Sequence, residues 1–322
     1  MSLPHPLPDP REEFIAAVRE GLRAPSKRLD PRHFYDDLGS ALFTAITRLP
    51  WYPLSERELA LLTLQGDAIT RALPGPLALI ELGPGDGEKL SRLAEPLSRR
   101  QTALNAHLID ISPAALAHAA VRVGSIPRTR VSEFAGDFLA GLRSLPEFPG
   151  QQRLLCFLGS NLGNFEAAAA REFLGAIRSA LRPGDGLLLG VDLIKPEAEL
   201  VAAYDDPLGV TAAFNKNLLL RINRELDGDF DLSRFAHRAL WNAPLARMEM
   251  RLESLGAQTV RIAALGESFQ FAAGETLWTE SSHKYSAESV AALAVAAGFT
   301  AAGQWQSGPT GVMESLWLVP PE

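Results

Sequence analysis

The chain of 322 residues contains one cysteine, Cys156, and no apolar run close to the roughly 20 residues that a transmembrane helix needs. A single cysteine excludes an intrachain disulfide, and its apolar surroundings predict a packed thiol. The six histidines form no cluster with metal-ligand spacing, so we expect no metal. A net charge of −7 and a pI near 5.5 argue against nucleic acid or an anionic membrane as partner. The first residues lack the charged leader and apolar core of a secretory signal, so we expect a cytoplasmic protein.

The most informative segment is ALIELGPGDGEKLSRL (78–93), in which an apolar run ends at Gly83, Gly85 and Gly87 and a helical pattern follows. A strand, a glycine turn and a helix in this order let backbone N–H groups approach a ligand at the carboxyl edge of a sheet. The glycine spacing does not fit the dinucleotide fingerprint. Glu81 before the turn, with no Lys-Ser/Thr after it, argues against a phosphate-binding loop. What remains is the pattern of S-adenosylmethionine (SAM) methyltransferases; a glycine-rich loop without a ligand is the alternative.

Three further predicted strands bring polar or glycine-rich ends to the same edge. The apolar run within residues 103–112 ends in Asp110, at the position where parallel sheets hold the ribose hydroxyls of an adenine cofactor. Asp137 and Phe138 follow the next strand, where we expect contacts to the amino group and the face of the adenine. Residues 153–165 then run into a loop of small residues. A solvated aspartate at a strand end is the alternative for Asp110.

Alternating strands and helices from Leu77 to about Asp192 predict an α/β fold, a doubly wound Rossmann-like methyltransferase sheet with an inserted α+β substrate-binding subdomain. We expect three segments: N-terminal helices and the SAM-binding core in 1–195, the inserted subdomain in 196–285, and the completion of the core in 286–322. The last segment contains two closing strands that fit an antiparallel edge.

The residues before the glycine turn have helical spacing, after a proline-rich arm at 1–10. The predicted helices span 11–23, 40–49 and 55–73. In the last of these, Ser55 is predicted to be the N-cap and Glu58 the third residue of a capping box.

Five blocks of the chain resemble, in order, those of the histidine Nα-methyltransferases. They are RHFYDDLGSALFTAITRLPWYP (32–53), ELGPGDGEK (81–89), FLGSNLGNF (157–165), a block from LGVDLIK to DGDFD (189–231) that contains AYDDPLGVTAAFN, and WTESSHKYS (278–286). The resemblance implies an enzyme that uses SAM to trimethylate the α-amino group of free L-histidine to its betaine, the first step of ergothioneine biosynthesis. It also implies a small-molecule substrate, histidine or its mono- and dimethylated forms, and we expect a monomer. The alternatives are methylation of another amino acid or amine, and a homologue that binds SAM without turnover.

The same resemblance implies site residues. Asn164 and Tyr204 hold the substrate carboxylate, Tyr35 lies near the α-amino group, and Glu280 and Ser282 hydrogen-bond the imidazole nitrogens. Met250 packs against the ring, and Phe43 and Gly159 line the amine end. Tyr35 and Asn164 are the candidates for a catalytic role. The cofactor positions are Gly83, Gly85, Lys89, Asp110, Asp137 and Phe138. One departure is Trp51-Tyr52 before Pro53, which leaves open whether Tyr52, a water or no group supplies a hydroxyl to the imidazole.

These residue types suit methyl transfer, which needs a positioned, neutral amine more than a strong base. Tyr35 is therefore interpreted as an orienting group rather than a general base. Each assignment has a structural alternative. For Glu280 the alternative is a solvated loop carboxylate, and for Tyr204 and Met250 it is a packing residue. For Asn164 it is the cap of a helix that begins at Phe165.

Overall fold

The computed structural model describes residues 10–321. The α-helices of this part are α1 (Pro10–Arg23), α2 (Asp37–Ile46), α3 (Leu54–Arg71), α4 (Glu88–Arg100), α5 (Pro113–Gly124), α6 (Phe138–Arg143), α7 (Ala167–Ala180), α8 (Glu197–Tyr204), α9 (Val210–Leu226) and α10 (Ala287–Ala296). Short 3₁₀ helices lie at Pro31–Phe34, Asn161–Asn164, Leu232–Arg234, Ala243–Leu245 and Ala263–Leu265. None of the helices described is both long enough and apolar enough to span a bilayer.

The strands of the same part are β1 (Leu77–Leu82), β2 (Leu104–Asp110), β3 (Thr129–Ala135), β4 (Gln152–Phe157), β5 (Gly186–Asp192), β6 (Phe235–Asn242), β7 (Arg247–Ser254), β8 (Gln258–Ile262), β9 (Glu267–Phe271), β10 (Thr276–His283), β11 (Thr300–Gln306) and β12 (Val312–Leu318).

These elements form two compact units. Of the described residues, the large-sheet unit comprises 53–195 and 283–321, and the small-sheet unit comprises 10–52 and 196–282. One boundary therefore falls after Lys195, where the sequence predicts the end of the regular alternation. The division differs from the predicted one in two ways. Residues 10–52 group with 196–282 rather than with the methyltransferase core, and the second boundary follows Ser282 rather than Tyr285.

The large-sheet unit contains a seven-stranded sheet with the order β11-β12-β5-β4-β1-β2-β3. Strand β12 is antiparallel to both of its neighbours, and β5, β4, β1, β2 and β3 run parallel. This confirms the doubly wound sheet and its antiparallel closing pair. All six residues of β1 are buried, because a central parallel strand is covered on both faces. The strand order reverses beside β1, so a crevice opens at its carboxyl end.

Helices cover both faces of this sheet. Leu62 of α3 and Leu93 of α4 pack in one core layer, and Leu174 of α7 and Val290 of α10 pack in the other. The predicted packed thiol is confirmed, since Cys156 lies in the first layer without solvent exposure. Burial raises the pKa of this thiol well above its ordinary value, so it stays protonated.

The small-sheet unit contains a three-stranded sheet, β10-β7-β6, and the hairpin β8-β9. Helix α9 buries Phe214, Leu218 and Ile222 at helical spacing in the core of this unit. Helix α2 begins three residues before the predicted start, because the Asp36 carboxylate caps it by accepting from the N–H of Gly39 at 2.7 Å.

The predicted cap of the third helix is wrong. Helix α3 begins at Leu54 after Pro53, and no side chain caps it. Glu58 is buried instead, and its carboxyl turns to the glycine-rich edge of the sheet. A long-range ion pair therefore outweighs the local capping-box pattern.

Candidate active site

The glycine turn after β1 has a backbone that only glycine adopts readily. Gly83, Gly85 and Gly87 have φ values of +73°, +56° and +75°, all in the left-handed region. The N–H of Gly83 donates to the carbonyl of Ile109 at 2.8 Å, which ties the turn to the end of β2. A Cβ on Gly87 would lie 2.9 Å from Cα of Ala119, so helix α5 leaves no space for a side chain there.

Two side chains stand over the first glycine of the turn. A Cβ on Gly83 would lie 3.5 Å from both Phe138 Cζ and Asn161 Nδ2. The Phe138 ring is half-buried and packs edge-on against Phe157, with the ring centroids 5.7 Å apart. Asn161 is absent from the predicted site. The GSNLGN motif contains two asparagines, and the resemblance indicates only the second, Asn164.

Asp110 and Asp137 follow adjacent strands at the same edge, and each uses one oxygen locally. Asp110 Oδ1 accepts from the N–H of Ser112 at 2.8 Å, and Asp137 Oδ1 accepts from the N–H of Ala140 at 2.8 Å as the N-cap of α6. Burial raises the pKa of Asp110, and backbone N–H donors partly offset this rise. Asp110 is half-buried, which does not fit the alternative of a fully solvated strand end.

Lys89 supplies a positive charge to this edge. Its side chain is 23% exposed, and its Nζ lies 2.5 Å from Oε2 of Glu58. The other oxygen of Glu58 accepts from the N–H of Gly159 at 2.6 Å. Burial alone would lower the pKa of Lys89, but the Glu58 carboxylate raises it above its ordinary value.

The large-sheet unit thus brings to one sheet edge the side chains that the sequence predicts for a cofactor site. The left-handed glycine turn leaves the backbone accessible, Phe138 offers an aromatic face, Asp110 and Asp137 offer carboxylate acceptors, and Lys89 offers a cation. These groups fit the parts of SAM, which has an adenine ring, ribose hydroxyls and a carboxylate.

Several predicted substrate residues come together in the small-sheet unit as a group of aromatic rings. Tyr35 and Phe43 pack edge-to-face with centroids 5.6 Å apart. The ring centroid of Tyr52 lies 6.5 Å from that of Phe43 and 6.3 Å from that of Tyr204. Phe214, which the sequence analysis missed, contacts both Tyr35 and Phe43 from α9 at 6.0 and 5.9 Å. The AYDDPLGVTAAFN block contains Phe214 and is the sequence signal that could have indicated it.

Strand β10 carries Glu280 and Ser282, two residues apart and therefore on one face of the strand. The hydroxyl of Tyr204, at the end of α8, donates to Oγ of Ser282 at 2.7 Å. Glu280 is half-buried inside the strand, so the alternative of a solvated loop carboxylate is wrong. Met250 is buried in the core of this unit.

Two further residues, His237 and Trp278, are absent from the predicted site and hydrogen-bond the backbone carbonyls of Tyr204 and Glu280. His237 Nε2 lies 2.8 Å from the carbonyl of Tyr204, and its Nδ1 lies 2.9 Å from Nδ2 of Asn215. A carbonyl only accepts and an amide nitrogen only donates, so the imidazole is neutral with its proton on Nε2. Burial lowers the pKa of His237, consistent with this neutral form. Trp278 donates from its indole to the carbonyl of Glu280 at 2.9 Å.

Asn164 ends the 3₁₀ helix Asn161–Asn164 in the large-sheet unit. The alternative of a helix cap is wrong for this residue, because α7 begins at Ala167 with Glu166 at its N-cap position. A Cβ on Gly163 would lie 2.8 Å from the carbonyl oxygen of His283. The GSNLGN loop therefore packs directly on the backbone that follows Ser282 in the chain.

Comparison with known proteins identifies the family. The sequence model of a family described as "Histidine-specific methyltransferase, SAM-dependent" matches residues 14–317. The chain belongs to this family. A histidine N-alpha-methyltransferase of Mycolicibacterium smegmatis is 42% identical, over 91% of each chain, and one of Mycobacterium tuberculosis is 40% identical, over 89% of each. A 4-dimethylallyltryptophan N-methyltransferase of Claviceps fusiformis is 26% identical, over 73% of this chain and 72% of that one.

As a member of the SAM-dependent, histidine-specific methyltransferases, the protein is an enzyme whose cofactor is SAM. The sequence predicts a departure from the family pattern at Trp51 and Tyr52. The Tyr52 ring lies between Phe43 and Tyr204, within the aromatic group of the small-sheet unit.

Proposed function

We propose that this protein transfers three methyl groups in succession to the α-amino nitrogen of free L-histidine, giving its betaine as the first step of ergothioneine biosynthesis. Family membership supports the reaction class, and the two mycobacterial relatives carry the name of this activity. The observation that best supports histidine as the substrate is the hydrogen bond from Tyr204 to Ser282, which lies on the same face of β10 as Glu280.

In the small-sheet unit, the Glu280 carboxylate and the Ser282 hydroxyl together select an imidazole. A carboxylate such as Glu280 accepts from the ring N–H, and a hydroxyl such as Ser282 bonds the second ring nitrogen as donor or acceptor. We assign Met250 to the ring, Tyr204 to the substrate carboxylate and Tyr52 to the edge of this pocket. Indole and phenol rings lack the second nitrogen, so they leave one of these polar groups unpaired.

The amine end of the proposed site is aromatic. Tyr35 and Phe43 orient the α-amino group, and their faces favour the cation that accumulates as methyl groups are added. The attacking amine must be neutral, and proton loss to water before attack is sufficient because methyl transfer from a sulfonium is strongly favourable, so Tyr35 is assigned to orientation of the amine. In the large-sheet unit, Asn164 is assigned to the substrate carboxylate and Gly159 to the amine end on the family resemblance.

We assign cofactor binding to the carboxyl edge of the large sheet. SAM supplies an electrophilic methyl group on its sulfonium. Asp110 accepts from the ribose hydroxyls, Asp137 and Phe138 contact the adenine, and the backbone at Gly83 and Gly85 admits the amino-acid part. SAM carries a single anionic group, its carboxylate, so the Lys89 ammonium is assigned to that group.

The test is incubation of the purified protein with SAM and a panel of free amino acids, followed by mass spectrometry and NMR. Histidine should gain one, two and three methyl groups, all on the α-nitrogen. Methylation of the imidazole would overturn the proposed orientation. A preference for tryptophan or its derivatives, as in the name of the Claviceps relatives, would overturn the proposed substrate.

We also propose that the enzyme is a cytoplasmic monomer acting on small molecules. The buried, unpaired Cys156 suits a reducing compartment, and the net charge of −7 disfavours binding to nucleic acid. Light scattering coupled to size-exclusion chromatography tests the oligomeric state, and a dimer mass would contradict this proposal.

A further inference from the structure

Three buried glutamates of the large-sheet unit interact electrostatically with Lys89. Glu58 of α3, Glu81 of β1 and Glu314 of β12 are each at most 1% exposed. We refer to them as the carboxyl cluster. Glu314 lies opposite Gly190 in the β12–β5 ladder, and a Cβ on Gly190 would lie 2.5 Å from Glu58 Oε1 and 3.1 Å from Glu314 Oε1. The missing side chain of Gly190 therefore makes the space that these two carboxyls share.

The charges of this cluster do not balance if every carboxyl is ionised. Lys89 contacts Glu58 at 2.5 Å and is the cation of this group. Both oxygens of Glu314 and Oε2 of Glu81 find no hydrogen-bond donor among the described residues. Buried carboxylates without donors or counter-charges are strongly disfavoured, whereas a protonated carboxyl is neutral and can itself donate.

We propose that the carboxyl cluster positions the Lys89 ammonium for the carboxylate of SAM by carrying a single negative charge, on Glu58, with Glu81 and Glu314 protonated. The inference rests on the proposed role of Lys89 in cofactor binding. Glu58 then uses one oxygen for the Gly159 N–H and the other for Lys89, and it also accepts the proton that Glu314 donates. Ionisation of a second carboxyl would compete with SAM for Lys89 and weaken SAM binding.

The pKa shifts of Glu81 and Glu314 agree in direction with this assignment of protons. Burial raises the pKa of Glu81 to about 8, and Lys89 opposes the rise. Burial and the neighbouring Glu58 raise the pKa of Glu314 well above its ordinary range. The other titratable groups that interact electrostatically with the cluster are Cys156 of β4, Asp86 of the glycine turn and Asp110 of β2. Within residues 10–321, no group of three or more His, Cys, Asp or Glu side chains could hold a metal ion.

The test measures SAM affinity by calorimetry at pH 7 and pH 9 in wild type, Glu58→Gln, Glu81→Gln and Glu314→Gln. Wild type should lose roughly tenfold in affinity over this range, because a second negative charge then lies near Lys89. The amino group of SAM titrates in the same range, so the comparison is between variants. Glu81→Gln and Glu314→Gln should lose clearly less than wild type. The exposed Glu56→Gln on the same helix as Glu58 is the matched control and should lose as much as wild type.

Glu58→Gln should weaken SAM binding at pH 7 roughly tenfold, with the KM for histidine little changed. A merely structural role for Glu58 would lower thermal stability without this split between the two substrates. Equal pH losses in wild type, Glu81→Gln and Glu314→Gln would overturn the proton assignment. Lys89→Met distinguishes a failure of the proposed cofactor role of Lys89 from a failure of the proposed positioning role of the carboxyl cluster. If it binds SAM as wild type does, the cofactor role of Lys89 has failed. If it binds weakly while Glu58→Gln does not, the positioning role of the cluster has failed.

Discussion

Carboxyl side chains that look alike in the sequence have quite different environments in this protein. Asp36 caps α2 and also accepts from Asn217 and Arg224 at 2.7 and 2.6 Å, so these donors hold its pKa below the usual value against the effect of burial. Glu81 lies in a central strand with a raised pKa. Glu280 lies half-buried in β10. Only the first of these environments follows from a local rule, the preference for Asp at a helix N-cap.

Glu280 and Asp110 should separate the two substrates of the enzyme. Glu280→Ala removes the proposed partner of the imidazole N–H, so kcat/KM for histidine should fall roughly 10- to 100-fold. Asp110→Ala removes a charge-assisted acceptor, so SAM affinity should fall roughly tenfold or more. Steady-state kinetics and calorimetry on both variants measure both effects.

Each variant is the control for the other. Glu280→Ala should bind SAM as wild type does, and it should narrow the preference for histidine over tryptophan or phenylalanine. Wild-type kinetics with histidine in Glu280→Ala would place the substrate elsewhere, and unchanged SAM affinity in Asp110→Ala would remove that residue from the cofactor site.

At the scale of single elements, the 3₁₀ helix Asn161–Asn164 is held by close backbone packing. A methyl group on Gly163 would lie 2.8 Å from the carbonyl oxygen and 3.3 Å from the nitrogen of His283. Backbone atoms cannot move aside as a flexible side chain can, so the helix must shift. Gly163→Ala should therefore destabilise the fold by roughly 1–3 kcal/mol and lower turnover, since Asn164 shifts with the helix.

Gly175 provides a matched control in α7, because a Cβ there would meet nothing within 4 Å. Gly175→Ala should raise the stability by roughly 0.5–1 kcal/mol through the better helix propensity of alanine, without a change in activity. Thermal unfolding and kcat/KM of the two variants test this contrast. Equal stability and activity of both would show that the contact with His283 is not restrictive.

For the whole molecule, the carboxyl cluster predicts how stability depends on pH. Burial raises the pKa of Glu81 from 4.5 to about 8, so the folded state keeps a proton that the unfolded chain releases. This contribution to stability is fully present below pH 4.5 and is lost as the pH rises to about 8. From pH 5 to pH 9, the free energy of unfolding of wild type should fall relative to Glu81→Gln by an amount on the order of 4 kcal/mol.

Denaturant titrations of both proteins at several pH values measure this difference. The same substitution at the exposed Glu133 of β3 removes a carboxyl outside the cluster and should leave the wild-type slope. Parallel pH profiles for wild type and Glu81→Gln would contradict a buried, protonated Glu81.

The sequence by itself determined the features that depend on neighbouring residues. The mainly apolar run 77–82 favours a buried strand, and the three glycines after it permit the left-handed backbone that other residues rarely adopt, so β1 and the turn at its carboxyl end were predictable. The resemblance of the TESSHK block also predicts Glu280 and Ser282 as substrate residues, and both lie in β10. Of the two boundaries predicted from the alternation pattern, the one after Lys195 coincides with a boundary between the two units of the structure.

Only the tertiary structure decided the features that depend on residues far apart in the chain. Glu58 fits a capping box, yet it pairs with Lys89, because burial beside a counter-charge outweighs a local cap. Residues 10–52 group with 196–282 because Phe34, Tyr35 and Phe43 pack on Phe214, about 170 to 180 residues later in the chain. His237, which holds Tyr204 through a backbone carbonyl, carries no local signal at all, since the chain must fold before the two meet.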